Sequence, residues 1–232
     1  MYINKSKKII IKIGSSILIN NKGKPNKVWL EEFVKGIKFL LKKRKKIVIV
    51  SSGAIAFGCE FLGIKKKNLK VDKSQAVASI GQIELMDFYK KIFDRSKIKI
   101  SQILLTLDDT EKRRRSINAR RTIDNLLSMG IIPIVNENDT TATSEIKYGD
   151  NDRLAARVAQ IIGADTLVIL SDVDGLYDKS KRIVKKVNKI DEKIYSLVDN
   201  SKNLYGSGGI STKLDAAKIC INSGCHMFIA NG

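Results

Sequence analysis

Short runs of β-branched residues alternate with longer amphipathic stretches along this chain. Residues 8–13 (KIIIKI) form an apolar run broken only by Lys12, a pattern typical of a strand buried on both faces of a sheet. Residues 29–41 instead carry leucine, phenylalanine, valine and isoleucine at helical spacing, which indicates one apolar helical stripe. Repetition of these two patterns predicts a mostly parallel sheet with helices on both faces.

The remaining elements follow the same two patterns. Further strands are predicted at residues 47–50, 98–105, 131–135, 166–170 and 226–230. Further helices are predicted at residues 54–62, 74–93, 111–129, 152–162, 192–198 and 211–222, with a short hairpin at 140–148. Gly130 and Gly163 are expected to stop the helices that precede them. The prediction is therefore an α/β fold with three layers, a sheet between two layers of helices, in one domain over residues 1–232.

Composition narrows the class of protein. The sequence has no run of about 18 apolar residues, so it predicts no transmembrane helix. Its first residues run directly into strand-like sequence without a cleavage site, so no signal peptide is predicted. Cys59, Cys220 and Cys225 match no metal-binding or C-x-x-C spacing, which favours a reduced, cytoplasmic protein.

The strongly basic balance makes nucleic-acid binding an alternative. The formal net charge is +19, from 43 Lys and Arg against 24 Asp and Glu. The lysines are nevertheless spread along the chain, and the densest basic runs, at 42–46 and 113–115, contain no aromatic residue on which a base could stack. The charge alone therefore does not favour a nucleic-acid partner over a general bias toward lysine.

Polar residues concentrate where the predicted strands end, which is where open parallel sheets bind ligands. Lys12 lies within an apolar strand, where its ammonium needs an anion unless the strand is at an edge and the side chain reaches solvent. Gly14 follows and would let a ligand approach the backbone. Ser52 lies in a strand-to-helix turn whose free N–H groups could hold an anion or simply begin the helix.

Three more polar segments follow later strands. Residues 136–139 (NEND) come after the strand at 131–135, and Asp139 there could pair with an ammonium group. Residues 149–152 (GDND) hold more polar side chains than a helix cap requires. Residues 206–213 (GSGGISTK) form a glycine-rich loop that differs from a Walker A motif but offers similar N–H groups to phosphate. Each segment could also be only a turn or a cap.

In this order, the segments resemble the amino acid kinase family, in particular its members that phosphorylate glutamate. The matching stretches span essentially the whole chain and include IIIKIGSS, VASIGQ, NENDT, YGDND and GGISTK. The resemblance implies a carbamate kinase-like three-layer fold. It also implies an N-terminal lobe, about residues 1–160, that binds glutamate and a C-terminal lobe, about residues 161–232, that binds ATP. Nothing in the sequence corresponds to the PUA-type domain of many relatives, so none is expected.

The same resemblance implies roles for individual residues. Lys12 and Lys213 would hold the ATP phosphates and the transferred phosphoryl group, and Asp152 would orient the two lysines. The glutamate-binding positions of the family are matched by Ser52, Asp139 and Asn151. Its ATP-binding positions are matched by Lys12, Ser171, Asp172, Ser207, Gly208, Gly209, Ile210, Ser211, Thr212 and Lys213. No residue is assigned to a metal, and Mg²⁺ is expected to arrive with ATP.

The implied activity is transfer of phosphate from ATP to the γ-carboxylate of L-glutamate, giving L-glutamyl 5-phosphate, the first step of proline biosynthesis. The expected partners are a downstream glutamyl phosphate reductase, proline as a feedback inhibitor and further copies of the chain. The alternatives are other family members, such as those acting on N-acetylglutamate or uridylate, and a basic nucleic-acid-binding protein without enzyme activity. We expect Asp139 to bind the α-ammonium group of free glutamate, which N-acetylglutamate lacks.

Overall fold

A parallel sheet forms the middle of the computed structural model, which describes residues 2–20, 23–65, 69–142, 151–197 and 209–232. In chain order its strands are β1 (Lys8–Ile13), β2 (Lys46–Ser51), β3 (Ile100–Leu105), β4 (Ile132–Glu137), β5 (Thr166–Ser171) and β6 (His226–Asn231). All neighbouring pairs run parallel, in the order β3-β4-β2-β1-β5-β6. The predicted parallel sheet is confirmed.

Helices cover the sheet. In chain order they are α1 (Tyr2–Lys5), α2 (Ser15–Leu18), α3 (Lys27–Lys42), α4 (Ala54–Leu62), α5 (Val71–Arg95), α6 (Leu107–Glu111), α7 (Arg113–Ser128), α8 (Asn151–Ile162), α9 (Glu192–Tyr195) and α10 (Ile210–Asn222). None of these described helices is long and apolar enough to cross a bilayer.

Two separate apolar cores lie on the two faces of the sheet. Successive residues of β1 point to opposite faces, so Ile10 joins one core while Ile9 and Ile11 join the other. The core around Ile10 is completed by α7, α8 and α10, and the opposite core by α2, α3, α4 and α5. The structure therefore has the predicted three layers, with burial on both faces of β1 as its sequence indicates.

The central position of β1 determines where a ligand can bind. The chain leaves β1 toward β2 on one side and later places β5 on the other, so the strand order reverses at β1. Ile13 pairs with Ser51 of β2, and with Leu170 of β5, at the carboxyl ends of all three strands. Such a reversal opens a crevice beyond the strand ends, because the following loops turn away in opposite directions.

The helix predicted at 111–129 corresponds to α7 (Arg113–Ser128), but the short helix α6 ahead of it was not predicted. The structure has two helices there, α6 and α7, separated by extended backbone at Lys112. Thr106 and Asp109 form a reciprocal capping box that starts α6 before the predicted boundary.

Two other predicted helices differ from the structure by up to three residues at an end. The helix predicted at 74–93 runs as α5 from Val71, and the one predicted at 192–198 ends as α9 at Tyr195. Helices α1 and α2 had no predicted counterpart. Most of the hairpin predicted at 140–148 lies outside the described residues.

Helices α4 and α5 cross at a point where only glycine fits. A Cβ added to Gly81 would overlap the carbonyl oxygen of Ala54 and the backbone of Gly58. A Cβ added to Gly58 would likewise overlap the carbonyl oxygen of Val77. The two helix backbones are therefore in direct contact, and this contact fixes α5 beside the loop that leads into α4.

We expect Gly81→Ala to lower the free energy of unfolding by about 2 kcal/mol or more, because the added methyl group must push backbone apart. Gly36→Ala is the matched control, since Gly36 is an exposed position of α3 with open space around it. That change should raise stability by about 0.5–1 kcal/mol through helix propensity alone. Urea unfolding of the two variants measures both effects, and equal stability of the two would contradict the close contact.

Candidate active site

Three buried charges meet beyond the end of β1. Lys12 Nζ lies 2.6 Å from Asp152 Oδ1, and Lys213 Nζ lies 3.1 Å from Asp152 Oδ2. The exposed fractions are 7% for Lys12, 3% for Lys213 and 0% for Asp152. One carboxylate thus holds two ammonium groups, and the group as a whole keeps one positive charge. The structure confirms that Lys12 is buried and opposite an anion, which excludes the edge-strand alternative.

Each of these three charges comes from a different secondary-structure element. Lys12 is the fifth residue of β1, between β2 and β5. Asp152 lies in the first turn of α8, where a carboxylate is stabilised by the helix dipole. Lys213 lies in the first turn of α10, and the neighbouring Thr212 places its hydroxyl 3.2 Å from Asp152 Oδ2.

Burial and charge oppose each other in the pKa values of this cluster. Burial lowers the pKa of Lys12; Asp152 raises it, Lys213 adds to the lowering and Asp172 opposes it. Burial alone would raise the pKa of Asp152, but the two ammonium groups outweigh it and hold that pKa below its ordinary value. Asp152 is therefore ionised at neutral pH, and an additional anion beside the lysines would relieve their mutual repulsion.

A network of amide side chains lies next to the charge cluster. Asn151, adjacent to Asp152 in the chain, donates from Nδ2 to Ser52 Oγ over 2.8 Å and to the Ser51 carbonyl oxygen over 3.1 Å. The same Nδ2 lies 3.2 Å from Asn136 Oδ1, and Asn136 Nδ2 donates to Gln82 Oε1 over 2.7 Å. These contacts join β2, β4, α5 and α8 beyond the carboxyl ends of the strands.

A cavity of about 610 Å³ lies beside this amide network. Its lining includes Gln82 on α5, Gln102 on β3, and Asn138 and Asp139 after β4. Burial raises the pKa of Asp139 to about 6. No ion pair to Asp139 occurs within the part of the chain that the structure describes. A half-buried carboxylate without a cation is suited to pair with an ammonium group supplied by a ligand.

The positions matched to ATP binding lie across β1 from the amide network. Ser171 ends β5 and donates to Asp172 Oδ1 over 3.0 Å, and Asp172 is close enough to Lys12 to raise its pKa. Gly209, the N-cap of α10, has no side chain, so the first N–H groups of that helix have no capping side chain. A Cβ on Gly14 would lie 3.5 Å from the Leu170 carbonyl oxygen and 4.0 Å from Lys12 Nζ, so the Gly14 backbone lies close to this lysine.

The sequence-based site residues divide into those that the structure brings together and those it does not describe. Lys12, Asp152 and Lys213 meet directly, and Ser52 meets Asn151. Asp139 lines the neighbouring cavity. Gly209 is the N-cap of α10, and Ile210, Ser211 and Thr212 form its start, ahead of Lys213. Ser207 and Gly208 lie outside the described residues.

Two residues of the amide network carried no role in the sequence analysis. Asn136 lies in the segment at 136–139, but nothing there distinguished it from its polar neighbours. Gln82 lies in the middle of α5, where a glutamine usually faces solvent. Only its place after Gly81 gives a signal, because a glycine inside a helix often marks close packing. Among the described residues, no group of three histidine, cysteine or acidic side chains could hold a metal ion.

Residues 7–231 match the model of the amino acid kinase family. This chain belongs to the amino acid kinase family. It is 61% identical over its whole length to a glutamate 5-kinase from Pelagibacter ubique (strain HTCC1062), of which it covers 65%. It is 46% identical over 99% of its length to a glutamate 5-kinase from Rhizobium leguminosarum bv. trifolii (strain WSM2304), of which it covers 61%. The chain therefore spans a little under two thirds of these relatives.

The amino acid kinase fold is also found in the structural comparison. A carbamate kinase from Giardia superposes with a TM-score of 0.65 and covers 97% of this chain, while this chain covers 92% of it. The sequence identity is only 14%, so this likeness concerns the fold alone. The family resemblance and the carbamate kinase-like fold expected from the sequence are both confirmed. The roles of individual site residues stay predictions.

We expect Asp152→Asn to lower the free energy of unfolding by about 3–5 kcal/mol at pH 7, because it leaves two buried ammonium groups without their counterion. Asp124→Asn is the matched control, since Asp124 pairs with Lys8 at 3.0 Å but is 40% exposed. That change should lower the free energy of unfolding by less than about 1 kcal/mol.

The pH dependence of the same pair of proteins gives a second test. The folded-state pKa of Asp152 is lowered, so its stabilisation is present above the ordinary carboxyl pKa and is lost as pH falls toward the lowered value. The stability difference between wild type and Asp152→Asn should be constant above about pH 5 and shrink below it. Urea unfolding from pH 7 to pH 3 measures this, and a difference that grows on acidification would contradict it.

Proposed function

We propose that this protein is a glutamate 5-kinase, which transfers the terminal phosphoryl group of ATP to the side-chain carboxylate of L-glutamate. The observation that carries the proposal is the meeting of Lys12 and Lys213 on Asp152, between an amide network on one side and the start of α10 on the other. The names of the relatives at 61% and 46% identity support the choice of substrate.

The proposed reaction needs little covalent help from the protein. An oxygen of the γ-carboxylate attacks the terminal phosphorus of ATP, the bond to the bridging oxygen breaks, and ADP leaves with that electron pair. The carboxylate is already ionised at neutral pH, since its ordinary pKa is about 4.3. No general base is required, which agrees with a site of lysine, aspartate and amide groups. Catalysis then consists of positioning and charge neutralisation.

The charge cluster is suited to bring two anions together. A carboxylate and a triphosphate repel each other, and the two ammonium groups would offset that repulsion as the phosphoryl group passes between them. Asp152 holds both ammonium groups in place and keeps them from separating. The N–H groups at the start of α10 would add a further partial positive charge beside the phosphates.

We assign one side of the site to each of the two proposed lobes. Residues 1–160 would supply Ser52, Asp139 and Asn151 to glutamate, and residues 161–232 would supply Ser171, Asp172 and residues 207–213 to ATP. Mg²⁺ would accompany ATP and would offset part of the negative charge of its phosphates. Asp172 is a carboxylate near Lys12 that could hold this ion, so the donor set fits a metal that arrives with the nucleotide.

Asp139 favours free glutamate over the substrates of other family members. Its half-buried carboxylate would pair with the α-ammonium of glutamate, whereas N-acetylglutamate and uridylate offer no ammonium group. The remaining expectations come from the family resemblance and, for the location, from the cysteines: a cytoplasmic homo-oligomer, inhibition by proline and transfer of the product to glutamyl phosphate reductase. Glutamate is therefore the substrate to test first.

The proposal predicts glutamate-dependent release of ADP and trapping of an acyl phosphate by hydroxylamine. Parallel reactions with N-acetylglutamate, aspartate and uridylate should release less ADP. A protein that releases ADP with one of these compounds and not with glutamate would contradict the proposed substrate. Steeply salt-dependent binding of nucleic acid without any glutamate-dependent turnover would support the non-enzymatic alternative instead.

We expect Lys213→Ala to lower kcat by about 10²-fold or more with a small effect on the KM of glutamate, because its ammonium acts on the transferred phosphoryl group. Lys218→Ala is the matched control, since Lys218 is an exposed lysine one and a half turns later on α10. That variant should keep normal turnover. Near-normal turnover in Lys213→Ala would remove Lys213 from the mechanism.

The raised pKa of Asp139, about 6, predicts a pH dependence for the use of glutamate. Below that pH the carboxyl is protonated and no longer attracts the substrate ammonium. We expect kcat/KM for glutamate to fall about tenfold between pH 7 and pH 5. Asp139→Asn should have a low kcat/KM that lacks this fall, and the titration of ATP, common to both proteins, cancels in the comparison. Parallel pH profiles for the two proteins would rule out this role of Asp139.

A further inference from the structure

We propose that Gln82 is a substrate-binding residue whose side-chain N–H group binds the α-carboxylate of the amino acid. The assignment rests on the proposed function of the same site, and it adds a group for the one charge of glutamate that has no partner so far. Asp139 would meet the ammonium, and the γ-carboxylate would face the phosphoryl group that the two lysines hold. The α-carboxylate needs a donor at the Asp139 end of the substrate.

The hydrogen bonds fix which way the Gln82 amide points. The backbone N–H of Glu137 can only donate, and its acceptor over 2.9 Å is the Asn136 Oδ1 atom. Asn136 must therefore present Nδ2, a donor, to Gln82, which must accept through Oε1. The Gln82 Nε2 atom is consequently left over as a donor, and the orientation follows from a backbone group.

Among the described residues, the network leaves one donor and one acceptor without a hydrogen bond. Gln82 Nε2 is buried and makes no hydrogen bond with any part of the chain that the structure describes. Asn151 donates to the carbonyl oxygen of Ser51, so its own Oδ1 is an acceptor, and this atom is also buried without a hydrogen bond to the described residues. Buried polar groups of this kind are rare because each loses its hydrogen bonds to water.

The two unpartnered atoms complement the backbone end of an amino acid. A carboxylate accepts hydrogen bonds and an ammonium group donates them. Gln82 Nε2 matches the carboxylate, while Asn151 Oδ1 and Asp139 match the ammonium. Gln82 and Asp139 line the same cavity, so both are placed to reach one small ligand. An arriving carboxylate would break no existing hydrogen bond of the Gln82 N–H group.

The position of Gln82 is held by its neighbours. Gly81 fixes this turn of α5 against α4, and the contact of Oε1 with Asn136 restrains the end of the side chain. The donor thus lies on a rigid helix, and little side-chain entropy would be lost when substrate binds. A donor held in this way distinguishes substrates with an α-carboxylate from those without one.

The test compares the binding of glutamate and 4-aminobutyrate, which is glutamate without its α-carboxylate, by calorimetry at pH 8. Gln82→Glu keeps the oxygen that accepts from Asn136 and replaces the donor with a second oxygen. We expect glutamate to bind at least about tenfold more weakly to this variant, while 4-aminobutyrate binds as well as before or better. The preference for glutamate should therefore fall or reverse.

Gln102→Glu is the matched control, because Gln102 is an exposed residue that lines the same cavity. It introduces the same charge without touching the amide network, and it should leave the ratio of the two affinities unchanged. Equal weakening of both ligands in Gln82→Glu would mean that Gln82 only supports the network, and it would overturn the proposal. An unchanged ratio, or wild-type protein that does not prefer glutamate, would overturn it as well.

Binding and turnover separate this inference from the proposed function. If the wild type binds glutamate but does not phosphorylate it, the kinase proposal fails, and the affinity ratio still decides the role of Gln82. If the wild type phosphorylates glutamate and Gln82→Glu keeps the preference for glutamate, only the role of Gln82 fails. The KM of ATP should be the same in all three proteins, which excludes a general loss of structure.

Discussion

The burial of Asp152 between two ammonium groups is the interaction on which the rest of the site depends. Three charges removed from water would be strongly unfavourable unless each meets its opposite at short distance. Lys12, Asp152 and Lys213 come from β1, α8 and α10. Their pairing therefore also holds these three elements together at the carboxyl-terminal end of the sheet. Within this cluster two ammonium groups share one carboxylate, which suits it to attract a further anion.

The two sides of this site use different physical devices. On the nucleotide side, charged side chains and helix N–H groups attract an anion but do little to select its shape. On the amino acid side, Ser52, Asn151, Asn136 and Gln82 offer a chain of amides whose direction is fixed by backbone groups. Charge suits a phosphate, whose identity is set by its charge and oxygens. Fixed amides suit a small zwitterion, which must be recognised by where its donors and acceptors lie.

Much of the fold follows from local patterns, and the site follows only in part. Short stretches of sequence predict the apolar strands and the helix ends at Gly130 and Gly163. The structure confirms them, with a positive φ at both glycines. Lys12 was identified because a charge in an apolar strand demands a partner, but no local pattern names Asp152, which is 140 residues away. Gln82 was missed for the same reason: its role depends on Asn136, a contact made only after the sheet has formed. The division at Lys112 was missed because the capping box lies before the predicted helix.

The glycine crossing of α4 and α5 has a consequence for how this site can change over evolutionary time. Ser52 lies just before α4 and Gln82 directly follows Gly81, so the distance between these two groups is set by how closely the helix backbones approach. Any larger residue at the crossing would widen the gap between them, even though it touches no ligand. Substitutions at two positions that contact no ligand could therefore change substrate preference during evolution. Gly58 and Gly81 would be expected to change together or not at all.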